Sequence, residues 1–261
     1  AKKAYQEASI YGEAIKLASS EDKTFSYIPD CSDLDIPDDL DYVYICENNT
    51  IYGTKYKELP PHEGKLLVAD LSSCILSERT DVSKYDLIFA GAQKNMGPAG
   101  LTVVIIKKDL IGLADEKTPS MLNYKTYADN DSMFNTPPTY AIYICGLVLE
   151  WLETQIGGLE NMEKINRQKA KLLYEYIDAS KLYSNPVVPE DRSYTNVPFV
   201  TGDKDLDTKF VKEAKEAGIV NIKGHRTVGG MRASIYNAMP LEGVEALIAF
   251  MKKFEEENYN A

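Results

Sequence analysis

The sequence predicts an α/β protein with a mostly parallel sheet in a larger domain, followed by a smaller α/β domain. Four short apolar runs, at 42–46, 66–70, 87–90 and 101–106, predict the strands of the sheet. These runs do not alternate between apolar and polar residues, which is typical of strands covered on both faces. Segments with helical periodicity follow them, as expected when strands and helices share one domain.

The elements of the larger domain follow in chain order. The first dozen residues have the composition of the end of a helix, and a helix that starts without a cap is unusual for a native N-terminus. The apolar stretch 139–154 contains the single tryptophan of the chain and predicts a largely buried helix. A turn at 156–159 then divides the chain into predicted domains of residues 1–155 and 156–261.

The smaller domain is predicted from its own periodicity. Apolar residues three and four apart from 159 to 177 indicate an amphipathic helix. A strand near 197–200, a helix near 206–217, a strand near 231–236 and a closing helix from 241 to about 256 complete this domain.

Composition excludes several classes of partner. The 261 residues carry a net charge of -11, which argues against nucleic acid or an anionic membrane, since both require a basic surface. Hydrophobic residues make up 44% of the chain, yet no apolar run approaches the roughly 20 residues that span a bilayer. The first residues do not resemble a targeting segment.

Cysteine and histidine usage points to a reduced setting without a metal. None of the four cysteines forms a Cys-x-x-Cys pair, so we expect free thiols and a cytoplasmic location. The chain has two histidines, and we therefore expect no metal site built on several of them.

Lys94 is the first candidate catalytic residue. It lies in the small-residue turn 91–100, between two of the apolar runs. Glycines in such a turn let the backbone approach a bulky group. Partial desolvation would lower the pKa of the lysine and free its amine for imine formation. The ordinary alternative is a glycine-rich turn whose lysine points into water.

Asp70 ends the second apolar run, 24 residues before Lys94. Ligands of open parallel sheets bind at the carboxyl ends of the strands, although a strand-end carboxylate can also be a simple cap. A lysine and an acid at neighbouring strand ends match the needs of pyridoxal phosphate. The lysine forms the imine, and the acid keeps the ring nitrogen protonated.

Three further polar residues are weaker candidates for the same site. Thr50 follows the first apolar run, where its hydroxyl could meet a cofactor oxygen or merely cap a turn. Asn135 and Thr136 precede the helix predicted at 139, and helix starts bind phosphate. Capping of the helix is their ordinary alternative role.

A basic cluster in the smaller domain predicts an anion site. His225, Arg226 and Arg232 lie within the glycine-rich segment 223–232 of an acidic chain that has five arginines. Arginine pairs carboxylate or phosphate bidentately, whereas a solvated basic loop is the alternative. The other histidine, His62, is expected in a surface loop.

Four segments together resemble the phosphoserine aminotransferase family. They are the lysine turn 91–100, the segment 69–73, the segment 134–139, and 224–226 with 237–240. The resemblance runs from the first residue to the last. It implies the fold of the pyridoxal-phosphate-dependent transferases, similar to aspartate aminotransferase, and a homodimer with active sites at the subunit interface.

The resemblance assigns cofactor-binding roles within the chain. It implies that Lys94 holds pyridoxal phosphate covalently and that Asp70 pairs the ring nitrogen. It also implies that Thr50 contacts the ring hydroxyl and that Gln93 contacts the cofactor phosphate.

The resemblance divides the remaining roles between two subunits and two substrate groups. Asn135 and Thr136 are expected to reach the cofactor phosphate of the partner subunit. His225 and Arg226 are expected to bind the substrate phosphate, and Arg232 its carboxylate.

The implied reaction is transamination between 3-phosphohydroxypyruvate and glutamate, giving O-phosphoserine and 2-oxoglutarate in serine and pyridoxine biosynthesis. Another aminotransferase or a desulfurase of the same fold is one alternative; a catalytically inactive piece is the other. The family usually has Asn-Glu-Thr at residues 48–50, where this chain has Asn-Asn-Thr, and we expect a minor effect. The resemblance begins well inside the family pattern, so an N-terminal part is expected to be missing and cofactor binding to be weak.

Overall fold

The four apolar runs form one sheet in the computed structural model, which describes residues 1–62 and 64–259. The strands are β1 (Tyr42–Cys46), β2 (Leu66–Asp70), β3 (Leu87–Gly91) and β4 (Thr102–Ile106), and they lie in chain order. β1, β2 and β3 are parallel, whereas β4 is antiparallel to β3. The prediction of a mostly parallel sheet is confirmed, with β4 as the exception.

The antiparallel pairing of β4 follows from the length of its connection. Residues 92–101 are too few for the crossover that parallel strands need, so the chain turns back as a hairpin. Leu87 lies opposite Ile106 at one end, and Gly91 lies opposite Thr102 at the other. The hairpin places the Lys94 turn at the carboxyl end of β3.

The expectation that both faces of the strands are covered is wrong for the described residues. Val43, Ile45 and Leu67 are buried, but Tyr42 is 45% exposed and Leu66 36% exposed on the alternate positions. A run of apolar residues does not distinguish a second covered face from one that contacts solvent, because both lack polar alternation.

Helix α3 (Thr139–Thr154) has the bounds that the sequence predicts. The short helix α2 (Tyr124–Ala128) that precedes it was not predicted. The expected burial of α3 is wrong, because one narrow stripe alone is buried: Ala141, Cys145 and Leu152. Tyr140 is 72% exposed on the other side of the helix. The Cys145 backbone packs within 3.5 Å of the position that a Cβ would take at Gly97, which docks α3 against the lysine turn.

The second region contains the predicted elements. They are α4 (Leu159–Ala179), β5 (Asn196–Phe199), α5 (Lys204–Glu216), β6 (Met231–Ser234) and α6 (Leu241–Asn258). β5 and β6 pair antiparallel, and the three helices enclose a core in which Phe199, Phe210 and Phe254 are buried. This core is separate from the one beneath the four-stranded sheet, whereas the domain limits at 155 and 156 stay a prediction.

The remaining segments bear on two sequence predictions. Helix α1 (Lys2–Tyr11) confirms a helical start, and it buries no residue and has no side-chain cap. His62 is half-buried, with Nδ1 3.4 Å from the Pro60 carbonyl oxygen, while its neighbour Glu63 lies outside the described residues. Among the helices that the structure describes, none has the length and apolar character to cross a membrane.

Candidate active site

The Lys94 side chain is half-buried at the tip of the β3–β4 hairpin. The turn is fixed from within, because Ala92 donates its N–H to Leu101 O and its own carbonyl accepts from Met96 and Gly97. Lys94 Nζ donates to Thr50 Oγ1 at 2.7 Å. The lysine is therefore held in the interior side of the turn rather than pointing into water.

The surroundings of Lys94 favour its neutral amine. Burial lowers the pKa of Lys94, and the Arg232 guanidinium lowers it further, whereas the Asp70 carboxylate is the largest influence in the opposite direction. The net direction is downward, so more free amine is present at neutral pH than for an exposed lysine. A lysine of this kind is suited to attack a carbonyl.

Asp70 ends β2 beside the lysine turn. Its Oδ1 accepts two hydrogen bonds from Ser72, from the backbone N–H at 2.8 Å and from the hydroxyl at 2.6 Å. Gly91 donates its N–H to the same Ser72 hydroxyl oxygen at 3.0 Å, which ties the ends of β2 and β3 together. Asp70 Oδ2 accepts no hydrogen bond from the described residues, so it is available to a ligand.

Thr50 joins Lys94 to Arg232. Its carbonyl accepts from Arg232 Nη1 at 3.1 Å, while its hydroxyl accepts from Lys94. Arg232 Nε is buried and has no hydrogen-bond partner within the described residues. A buried guanidinium donor without a partner is costly, and a carboxylate or phosphate oxygen would satisfy it.

Gln93 is exposed at the mouth of the turn and folds back over Gly91. A Cβ at Gly91 would lie 2.7 Å from Gln93 Oε1, so a larger residue at position 91 would displace this amide. Glycine thus leaves room for the Gln93 side chain just beyond the end of β3, in the turn that carries Lys94.

The structure does not bring the other predicted residues to this group. Asn135 and Thr136 are exposed, and Asn135 Nδ2 contacts Met121 Sδ at 3.1 Å. His225 Nδ1 lies 2.8 Å from Thr227 Oγ1, and Arg226 is exposed. No hydrogen bond within the described residues joins these four side chains to Lys94, Asp70 or Thr50.

Sequence reasoning missed the buried asparagines that support the site. Asn48 Nδ2 donates to Ser73 Oγ at 2.7 Å and to Asn196 Oδ1 at 2.9 Å, linking the turn that carries Thr50 to β5. Asn95 Oδ1 accepts from the Asn237 N–H at 3.1 Å. The position of Asn95 directly after Lys94 was the one sequence feature that could have indicated its supporting role. The pairing of Asn48 with Asn196 spans 148 residues and leaves no local sequence pattern.

A cleft opens beside the lysine turn. Its volume is about 310 Å³, and it lies between the lysine turn, α3 and the segment after β6. Lys94 and Asn95 line one side, Trp151 of α3 another, and Asn237 with Ala238 a third. Lys94 therefore lies beside a concave surface, as residues of ligand sites usually do, whereas Asp70, Thr50 and Arg232 do not line this cleft.

The residues fit pyridoxal phosphate in three respects. Burial lowers the pKa of the Lys94 amine, and one oxygen of Asp70 accepts no hydrogen bond from the described residues. Arg232 Nε is a buried donor without a partner among those residues. The set thus combines an amine able to form an imine, a carboxylate oxygen able to pair a ring nitrogen and a donor able to bind an anion.

The comparisons with known proteins agree with this chemistry. Residues 9–247 match the family model described as aminotransferase class-V. A phosphoserine aminotransferase of Bacillus cereus is 57% identical over 257 residues, which are 98% of this chain and 71% of the relative.

Solved structures show the same similarity in three dimensions. The phosphoserine aminotransferase of Bacillus circulans subsp. alkalophilus matches with a TM-score of 0.95 at 42% identity, covering 98% of this chain and 71% of that one. A structure described as phosphoserine aminotransferase with bound pyridoxal phosphate, from Trichomonas vaginalis, matches with a TM-score of 0.91 at 37% identity over 96% of this chain and 72% of that one. This chain thus spans about 71% of the length of such relatives.

Proposed function

The chain belongs to the phosphoserine aminotransferase family of the class-V aminotransferases, and on that premise we propose the residues that carry the reaction. Enzymes of this family depend on pyridoxal phosphate and act in serine biosynthesis. We propose that Lys94 is the cofactor-binding and proton-transferring amine of this chain. The observation that carries the proposal is the Thr50 turn, which contacts both the Lys94 amine and the Arg232 guanidinium.

Lys94 has two tasks in this proposal. Its Nζ would hold the cofactor covalently, and as a free amine the same Nζ would take a proton from the substrate α-carbon. When bound, pyridoxal phosphate supplies a carbonyl and an electron-withdrawing ring. The lowered pKa of Lys94 suits both tasks, because the neutral amine is the nucleophile and the base.

Asp70 and Thr50 orient the groups that Lys94 acts on. The Asp70 carboxylate would keep the ring nitrogen protonated, with Ser72 holding its other oxygen in place. The Thr50 hydroxyl, which accepts from Lys94, would meet the ring hydroxyl. Gln93 would donate to the cofactor phosphate from the end of β3.

The substrate roles divide by charge. Arg232 is the carboxylate site, because its buried Nε has no partner among the residues that the structure describes and its Nη1 is fixed by Thr50. His225 and Arg226 are the proposed site for the phosphate that distinguishes 3-phosphohydroxypyruvate and phosphoserine from glutamate. Arg226 is exposed and His225 is half-buried in the segment after α5, which leaves both side chains within reach of a ligand.

We also propose a homodimer with shared active sites. Asn135 and Thr136 are exposed, and in the described part of the chain they form no hydrogen bond with Lys94, which supports a role in the site of a partner subunit. The exposed apolar residues of α3, Tyr140 and Tyr143 among them, are consistent with such an interface. A cytoplasmic location and a further role in pyridoxine biosynthesis remain predictions.

The experiment that tests the function is a pair of half-reactions. Phosphoserine and then 2-oxoglutarate are added to cofactor-loaded protein, and the near-visible absorbance of the bound cofactor is followed. We expect phosphoserine to remove the absorbance and 2-oxoglutarate to restore it, with unphosphorylated serine as the control. Protein that binds the cofactor but does not respond to phosphoserine would favour the alternative of a catalytically inactive polypeptide.

A further inference from the structure

Lys169 of α4 is a buried lysine that the proposed chemistry does not use. It is fully buried, and its ammonium group donates to three backbone carbonyls: Ile235 at 3.2 Å, Tyr236 at 2.9 Å and Met239 at 2.9 Å. Within the described residues it forms no ion pair with an acidic side chain. Burial lowers the pKa of Lys169 to about 8 and is the single cause of that shift.

A lysine buried in this way needs a reason, because desolvating an ammonium group is costly. A methionine or leucine would fill the same space without that cost. What the ammonium adds is three donors directed at one short segment, residues 235–239, which lies between β6 and α6. The charge therefore fixes the path of this segment.

Segment 235–239 in turn contacts the lysine turn. Asn237 donates its backbone N–H to Asn95 Oδ1 at 3.1 Å and its side-chain amide to Leu76 O at 2.8 Å. Asn166, one turn before Lys169 on α4, donates to Asn237 Oδ1 at 2.9 Å. Asn95 also donates to Ile75 O at 2.8 Å, so its buried side chain bridges the two regions.

We propose that Lys169 is a positioning residue for Lys94. Its ammonium group fixes segment 235–239, and the hydrogen bond between Asn237 and Asn95 passes this constraint to the turn that carries Lys94. Lys94, Asn95 and Asn237 line the same cleft, so a shift of the segment changes the surroundings of the amine. The inference rests on the proposed function only in taking Lys94 as the reactive amine.

The test measures the pKa of Lys94 in protein without cofactor or substrate. Trace acetylation with acetic anhydride across a pH series, followed by mass spectrometry, gives the free-amine fraction of each lysine. In Lys169→Met, which keeps the length of the side chain but removes its donors, the turn relaxes and water reaches Lys94. We expect the Lys94 pKa to rise by about one unit, a roughly tenfold loss of free amine at neutral pH.

Two further variants make the test specific. Lys171→Met changes an exposed lysine of the same helix and should leave the Lys94 pKa unchanged. In an Asn95→Ala background, Lys169→Met should add little to the rise that Asn95→Ala already causes, because the bridge is gone. Additive effects of the two substitutions would contradict this route.

The outcomes are distinguishable from those of the half-reaction experiment. An unchanged Lys94 pKa in folded Lys169→Met overturns the positioning role, whatever the activity of the protein. If Lys169→Met does not fold, Lys169→Arg carries the test. It keeps the charge but spreads its donors over a plane, so a smaller rise is expected, and no rise would overturn the inference. A shifted Lys94 pKa in protein that never transaminates would uphold the positioning role and reject the proposed function.

Discussion

Lys94 Nζ and Thr50 Oγ1 are 2.7 Å apart, although 44 residues separate them in the chain. The hydrogen bond joins the turn after β3 to the turn after β1. Because Arg232 binds the carbonyl of the same threonine, one residue sets the relative positions of the amine and the guanidinium.

Replacing Thr50 should weaken cofactor binding. Thr50→Val keeps the shape of the side chain but removes the hydroxyl, at a cost of about 1 kcal/mol, or roughly fivefold in the dissociation constant. Thr50→Ser restores the hydroxyl and should bind like the original chain. Absorbance titration with pyridoxal phosphate measures both, and equal binding by the valine and serine variants would remove Thr50 from the site.

Asp70→Asn should reduce turnover while the fold is kept. The amide oxygen can still accept from Ser72, but a neutral amide does not hold the ring-nitrogen proton, so the rate should fall about a hundredfold or more. Asp81 provides a matched control, since it accepts from Ser83 N and Oγ in the same Asp-x-Ser pattern at an exposed site. Steady-state assays in which Asp81→Asn and Asp70→Asn lose activity equally would refute the role of Asp70.

Substrate phosphate and carboxylate should be separable by mutation. Arg232→Ala should weaken phosphoserine and glutamate alike, by roughly 2–5 kcal/mol, since both carry the α-carboxylate. His225→Ala and Arg226→Ala should weaken phosphoserine and spare glutamate. Half-reactions with each amino donor measure the difference, and equal losses for both donors in all three variants would rule out this division.

Asn48→Ala should destabilise the fold more than it alters the chemistry. The buried amide donates to Ser73 and Asn196, and its oxygen accepts from Ser193 at 2.5 Å. Removing it leaves several polar groups unpaired, so the free energy of unfolding should fall by roughly 2–4 kcal/mol.

Asn49→Ala is the matched control for this prediction. Asn49 is half-buried, and among the described residues its side-chain oxygen accepts only from N–H groups of its own turn, at Ile51 and Tyr52. Urea unfolding curves for the two variants should differ clearly, and equal midpoints would show that the buried network around Asn48 adds no stability.

Much of this architecture could be predicted from the sequence because it depends on patterns among residues that are close together in the chain. Apolar runs located all four strands, and the periodicity of 159–177 located α4. Lys94 and Asp70 stood out because each is a polar residue at the end of an apolar run. The hairpin direction of β4 was available from the length of residues 92–101, although the pattern of the strand itself did not reveal it.

The features that could not be predicted depend on contacts between residues that are far apart in the sequence. The burial of α3 was overestimated, because an apolar helix has the same pattern whether its second side is covered or exposed. The role of Lys169 was also hidden, since a lysine in an amphipathic helix normally faces water and this one meets carbonyls more than 60 residues away. The contacts of Asn48 and Asn95 are long-range in the same way.

Lys94 has two low-pKa competitors for the cofactor, of which Lys169 is fully buried, so Lys57 provides the sharper comparison. Burial also lowers the pKa of Lys57, to about 8, so a low pKa alone would favour modification there. Lys57 Nζ, however, donates to Arg192 O at 2.6 Å and lies 4.1 Å from the centre of the Tyr194 ring, and it forms no hydrogen bond with Asp70 or Thr50 within the described residues. Comparing adduct formation on Lys57 and Lys94 therefore distinguishes reactivity that depends on a low pKa from cofactor binding that depends on the neighbouring residues.

The most direct measurement is borohydride reduction of the protein with pyridoxal phosphate, followed by peptide mapping, in the original chain and in Lys94→Ala. We predict that the cofactor adduct is found on Lys94 and that Lys94→Ala folds normally but loses this adduct without gaining another. An adduct mainly on Lys57 or any other lysine, with Lys94 unmodified, would contradict this prediction.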